Sequence, residues 1–247
     1  MTTVPSADLD APTGVRWGMG DALAGWLVAV VAAGLLGVVS ILLAGYDAED
    51  AADGRLPLWL TLIQSAFLWV GFVGVPMVVA ATKGNGLRRD FGFRIAPRDV
   101  PIGAAVGIAA QLLLVPLVSI PWMWLLDADA EKLAEPAKEL AAKVGSAPSI
   151  LLLVVIVAIG APLAEEIFFR GLVLRSIENR LGSVWAVVGS SVAFGATHFQ
   201  TLQLPALAAA GACFAMLAVR AARLGPAIVA HMAFNATTVV NLIWLTP

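Results

Sequence analysis

The residues able to do chemistry in this chain stand inside apolar sequence. Glu165 and Glu166 follow Pro162-Leu163-Ala164 and precede Ile167-Phe168-Phe169-Arg170, and residues 149 to 164 are almost unbroken hydrocarbon. His198 and His231, the only histidines, and Asn235 lie within or at the ends of later apolar runs. An ionisable residue at mid-bilayer costs about 2.5 to 3.5 kcal/mol on insertion scales, so a glutamate pair is retained there only if it is paired, wet or useful. At ~100° per residue Glu166 and Arg170 share a helix face, which predicts an ion pair, while Glu165 points about a quarter-turn away and stays free. Phe194 shares a face with His198 in the same way, and His231 with Asn235.

A carboxylate, two imidazoles and a carboxamide cover the roles that amide hydrolysis needs. Two of them can deprotonate and orient water, and the others can stabilise an oxyanion. Glu165, His198 and His231 are also a common ligand set for zinc or another divalent metal, with water in the open fourth place. The His-Glu-x-x-His helix motif, a Gly-x-Ser-x-Gly elbow and a phosphate loop are all absent. Each group alone has a plainer role, the Glu-Arg pair as glue between helices and each histidine as a hydrogen-bonded packing residue. Their conjunction in one segment favours hydrolysis. Cys213, the single cysteine, excludes an internal disulfide and a cysteine-based zinc cluster, and reads as a small core residue.

These groups must be positioned by membrane helices. With 247 residues, 60% hydrophobic, 13% charged and a mean hydropathy of +0.90, the chain is too apolar for a soluble domain. The expected fold is all-α, a polytopic transmembrane bundle of about seven spans around a polar site. No basic patch with interleaved aromatics appears, so nucleic acid is excluded as a partner. Residues 1 to 20 read as a flexible tail, and 21 to 148 as N-terminal transmembrane helices with a basic loop at 83 to 99. The spans fall at 22 to 46, 56 to 82, 100 to 126, 149 to 180, 184 to 198, 203 to 222 and 226 to 245. Gly103 and Gly107, four apart in the third span, predict close helix packing within the molecule. Residues 127 to 148 alternate Glu and Lys with Leu133 and Leu140, which predicts an amphipathic surface helix interrupted near Pro136. Lys83, Arg88, Arg89, Arg94 and Arg98 fall on the same side as Arg16, Arg170, Arg175, Arg180, Arg220 and Arg223, and the positive-inside rule makes that side, with the N-terminus, cytoplasmic.

Three motifs then carry a resemblance: Glu165-Glu166-Ile167-Phe168-Phe169-Arg170, Phe194-Gly195-Ala196-Thr197-His198 and His231-Met232-Ala233-Phe234-Asn235. In type, order and rough spacing the chain resembles the CPBP family of intramembrane metalloproteases. That group holds the type II CAAX prenyl endopeptidases and bacterial bacteriocin-processing or self-immunity relatives. The resemblance makes 149 to 247 the catalytic transmembrane part. It implies that Glu165 acts with His198 as base on water, that His231 and Asn235 form the oxyanion site, and that Glu166, Arg170 and Phe194 support them. It implies a membrane protein or lipidated peptide as substrate, cleaved near the cytoplasmic face of a bacterial cell membrane, and leaves the oligomeric state open. A rival reading is a catalytically silent scaffold or self-immunity protein that binds another membrane protein.

A difficulty concerns depth. If Ser149 and Ser183 each mark a membrane surface, Glu165 and His198 do not meet within a ~30 Å core at 1.5 Å rise per residue. They meet if the fourth and fifth helices project beyond the bilayer as a hairpin, with a water-filled cleft opening toward the cytoplasm.

Overall fold

The computed structural model describes residues 14–245, whose regular elements are all helices, with no strand among them. The apolar runs form α1 (Met19–Leu43), α2 (Leu58–Lys83) and α3 (Asp99–Leu126). After the polar α4 (Ala130–Ala142) come α5 (Ala147–Leu181), α6 (Ser183–Ala196), α7 (Leu204–Ala221) and α8 (Gly225–Ile243). Six of these are long and apolar enough to cross a membrane. The seventh expected span is α6, and its 14 residues rise only about 21 Å, against a core of ~30 Å. Leu23, Leu35, Leu43, Leu117 and Trp124 are exposed along the outer helices, as side chains facing lipid are.

Of the expected tail, residues 1 to 13 lie outside the described residues. The stretch after them is docked, which shortens the tail: the Arg16 N–H donates to the Lys83 carbonyl at 2.8 Å, and buried Trp17 meets Phe91 edge-on at 5.1 Å. The amphipathic helix forms as α4, its N-terminus capped by Asp129, which accepts from the Lys132 N–H at 2.8 Å. Pro136 sits inside α4 and does not interrupt it. Proline disturbs the backbone of the turn before it, and there Gln203 donates to the Leu133 carbonyl at 2.9 Å.

The basic segment at 83 to 98 is tied down. Its Gly92 and Arg94 carbonyls accept from the Leu224 and Gly225 N–H groups at 2.9 and 3.1 Å. Beneath them Arg223 Nε donates to both Asp99 oxygens, at 3.2 and 2.9 Å, in a buried pair. Gly92 permits this approach, because at φ +66 with the Ala222 carbonyl 2.8 Å from where a Cβ would stand, no side chain fits.

The two predicted small residues of α3 serve internal packing. A Cβ on Gly107 would lie 2.0 Å from the Ala230 carbonyl oxygen, and one on Gly103 2.8 Å from that of Pro226. α3 therefore lies backbone to backbone against α8, the helix that carries His231 and Asn235. α2 packs on α5, so the N-terminal and C-terminal helices form one bundle.

Two hairpins do the remaining positioning. The chain reverses at Gly182, whose φ of +84 suits glycine, and α6 runs back along α5. In an antiparallel pair, residues equidistant from the turn face each other. Glu165 precedes Gly182 by about the same distance that His198 follows it, ~24 to 26 Å at 1.5 Å per residue. The pairing is visible one turn short of them, where the Phe169 and Phe194 rings meet at 5.5 Å. The second reversal, at 222–224, sets Phe214 of α7 against His231 of α8 in the same way, with ring centroids 4.8 Å apart.

Candidate active site

Glu165 and Glu166 fall where α5 changes register. The helix is wound with the wider five-residue hydrogen-bond step over Val154–Gly160 and again over Glu166–Val173. Such π-type turns recur at functional sites because they displace side chains from the regular helical face. In the first of them the Ala161 N–H donates to the Ile156 carbonyl, five residues back. The next donor in that register is Pro162, which has no N–H, so the Val157 carbonyl loses its helical partner. Asn235 Nδ2 takes that place, donating to Val157 at 2.7 Å.

Glu166 and Arg170 form the predicted pair at 2.9 Å, and both side chains are 0% exposed. Arg170 also donates to the Gly211 carbonyl at 3.0 Å. Its guanidinium carbon lies 4.4 Å from the Phe194 ring centre and 5.5 Å from that of Phe214, so aromatic faces take up charge that water cannot. The same Glu166 Oε1 that pairs with Arg170 lies 2.9 Å from His231 Nδ1. Because that carboxylate can only accept, Nδ1 carries the proton, and Nε2 is turned toward Glu165 Oε2 at 3.7 Å. Phe214 stacks on the imidazole at 21° between planes, and Phe194 meets it edge-on at 5.4 Å.

His198 sits just past the end of α6. Its Nδ1 lies 2.8 Å from the Phe194 carbonyl, which can only accept, so the proton is on Nδ1 and the neutral ring offers the Nε2 lone pair outward. Thr197 Oγ1 donates to the same carbonyl at 2.8 Å. The turn from His198 to α7 is held by the Trp122 indole N–H, which donates to the Thr201 carbonyl at 3.3 Å, and by the Gln203 bond to α4.

Glu165, His198, His231 and Asn235 all line one cavity of about 160 Å³, with Phe194 and Phe214 in its wall. At ~30 Å³ per water molecule, such a space holds several waters or one side chain. Glu166 and Arg170 lie behind it, fully buried. The structure thus brings together the residues marked in the sequence, from α5, the end of α6, and α8. Phe214, Gly211 and Val157 complete the surroundings and carry no polar side chain that a motif search would single out. Among the described residues no group of three or more His, Cys, Asp or Glu side chains is spaced to hold a metal ion. Glu165, His198 and His231 are accordingly not drawn together closely enough in this arrangement to share a metal ion.

The arrangement can hold a water between a carboxylate and an imidazole acceptor, with an amide and a second imidazole across the cavity. One comparison with known proteins falls on the same part of the chain. Residues 147–237 match the family described as Type II CAAX prenyl endopeptidase Rce1-like. Over 92 residues the chain is 30% identical to the protein named Putative membrane peptidase YdiL of Bacillus subtilis (strain 168), an alignment covering 37% of this chain and 38% of that relative. The chain therefore matches well under half of that relative's length. No solved structure matches.

Proposed function

From the premise that residues 147–237 carry a segment of the CAAX protease family, we propose that this membrane protein is an endopeptidase that hydrolyses a peptide bond of a membrane-associated or lipidated protein near the cytoplasmic face. One observation carries this reading: Glu165, His198, His231 and Asn235 line a single cavity. Water held there faces the Glu165 carboxylate and the His198 Nε2 lone pair, and loses its proton to that pair as it attacks the scissile carbonyl. The developing oxyanion is met from the other wall by Asn235, which has a second amide N–H beyond the one spent on Val157, and by His231 when its Nε2 bears a proton. The proton taken from water then passes to the leaving amine, so one base serves both halves of the reaction.

Arg170 and Glu166 touch no substrate in this scheme. They are positioning residues: Arg170 fixes Glu166, and Glu166 fixes the His231 ring so that its other nitrogen faces the cavity. A scaffold would need none of this geometry. The test in cells compares membrane proteomes of the wild type with Glu165→Ala and Glu165→Gln variants expressed at equal levels. The reading expects a substrate to accumulate uncleaved in both variants, and an unchanged set of membrane-protein termini contradicts it.

A further inference from the structure

Glu165 and His198 are shared by two cavities. Besides the small chamber with His231 and Asn235, they border a larger cleft of about 400 Å³ lined from α1 and α2 by Trp26, Gln64, Ser65 and Phe72. The carboxylate and imidazole therefore form the partition between a space suited to water and a space of the size that holds a ligand. We infer that the larger cleft binds an extended stretch of substrate backbone, with Gln64 and Ser65 hydrogen-bonding its amide groups while the scissile carbonyl reaches past Glu165 into the small chamber. This rests on the hydrolase reading and adds to it a binding subsite in α1 and α2, outside the segment matched by the protease family.

Three observations point to a peptide backbone. The first is polarity in the wrong solvent: Gln64 and Ser65 are adjacent in an apolar spanning helix, and neither side chain has a hydrogen-bond partner among the described residues. Unpaired amide and hydroxyl groups are costly at membrane depth, so helices retain them where water or a ligand completes them. The second is chemical match, because a carboxamide presents a donor and an acceptor together, which is what a peptide unit requires in return. The third is room. Gly37 of α1 stands opposite Gln64, and even a Cβ there would meet the amide nitrogen only in ordinary contact at 3.9 Å, so α1 leaves the carboxamide unpinned. The remaining wall is aromatic and aliphatic, which suits the side chains of a membrane-borne segment but supplies no partner for its amides. A substrate chain unwound for cleavage needs such partners, since its own helical hydrogen bonds are gone.

The experiment uses the full chain in lipid nanodiscs and an internally quenched decapeptide carrying a farnesylated cysteine, with its unlipidated twin in parallel. Cleavage kinetics are measured for wild type, Gln64→Leu, Ser65→Ala and Glu165→Gln. The inference expects Gln64→Leu to raise KM about tenfold with kcat within about twofold, and Ser65→Ala to raise KM about threefold. A second readout avoids turnover: the affinity of the labelled peptide for the Glu165→Gln protein should fall about tenfold when Gln64→Leu is added. If Glu165→Gln abolishes cleavage but both KM and affinity ignore Gln64 and Ser65, the cleft assignment is overturned and the hydrolase reading stands. If Glu165→Gln cleaves as well as wild type, the hydrolase reading falls and the cleft assignment with it. A peptide neither bound nor cleaved by wild type overturns both.

Discussion

His231 Nδ1 and Arg170 Nη1 each lie 2.9 Å from one and the same oxygen, Glu166 Oε1. A carboxylate that faces a guanidinium along its own helix and an imidazole from another helix has no slack, and the His231 ring inherits that rigidity. Glu166 thereby holds the His231 ring, and Glu165 is left to face the cavity.

Arg170 is the first place to test it. Replacing Arg170 with Met keeps much of the volume but leaves Glu166 buried with only an imidazole, and an uncompensated buried charge of this kind costs about 3 to 5 kcal/mol. Thermal melting in nanodiscs should register that loss. Lysine should recover part of the stability and less of the activity, since a point charge cannot bridge Glu166 and the Gly211 carbonyl as a planar fork does. A Met variant as stable and active as wild type would contradict the assignment.

Asn235 and Pro162 are coupled through Val157. Asn235→Ala removes the amide that faces the oxyanion, for which a fall in kcat of about 10²- to 10³-fold is expected. Pro162→Ala is predicted to act on the same group from a distance. It returns an N–H to the helix, which competes for the Val157 carbonyl and lets the Asn235 side chain swing. Melting temperature should not fall, since proline inside a helix is itself unfavourable, whereas kcat should drop by up to ~10²-fold because the amide is misplaced.

Asp99 and Arg223 clamp the basic segment to the turn ahead of α8. Breaking this pair with Asp99→Ala should lower the melting temperature and make residues 83 to 98 sensitive to limited proteolysis while α5 and α6 stay protected. Equal protease resistance in variant and wild type would show that the backbone bonds of Gly92 and Arg94 suffice.

Chelation bears on the metal reading of Glu165, His198 and His231. With donors spaced as they are here, dialysis against a strong chelator is predicted to leave the cleavage rate within about twofold. A loss that added Zn²⁺ restores would show that the side chains regroup around a metal.

How much of this was legible in the sequence depends on range. The Glu166–Arg170 pair follows from four-residue spacing on one helix, and the close packing of α3 from Gly103 and Gly107, because both are local geometric rules; that α8 is the partner came only from the structure. The His231–Glu166 bond was not legible, since it joins residues 65 apart and depends on how two hairpins register. Reasoning from membrane depth placed Glu165 and His198 at odds. Measuring instead from the Gly182 turn puts them level, and a positive-φ glycine between two helices was the signal available. The apparent conflict was a matter of reference point: a 35-residue α5 rises about 52 Å, more than a ~30 Å core can contain. Phe214 and the Val157 carbonyl gave no signal at all, one being an aromatic in an apolar run and the other a backbone atom. Gln64 carried no signal beyond being one polar residue in a span and was not singled out, because its place beside Glu165 depends on the packing of α2 on α5.

The most direct measurement is turnover by purified protein in nanodiscs with Glu165 replaced by Gln, a change of one atom in shape and of a full charge in chemistry. The account predicts that cleavage of the quenched peptide falls by at least ~10³-fold, with the melting temperature unchanged and the Glu166–His231 contact preserved. Undiminished cleavage in a folded Glu165→Gln protein would contradict the account at its centre.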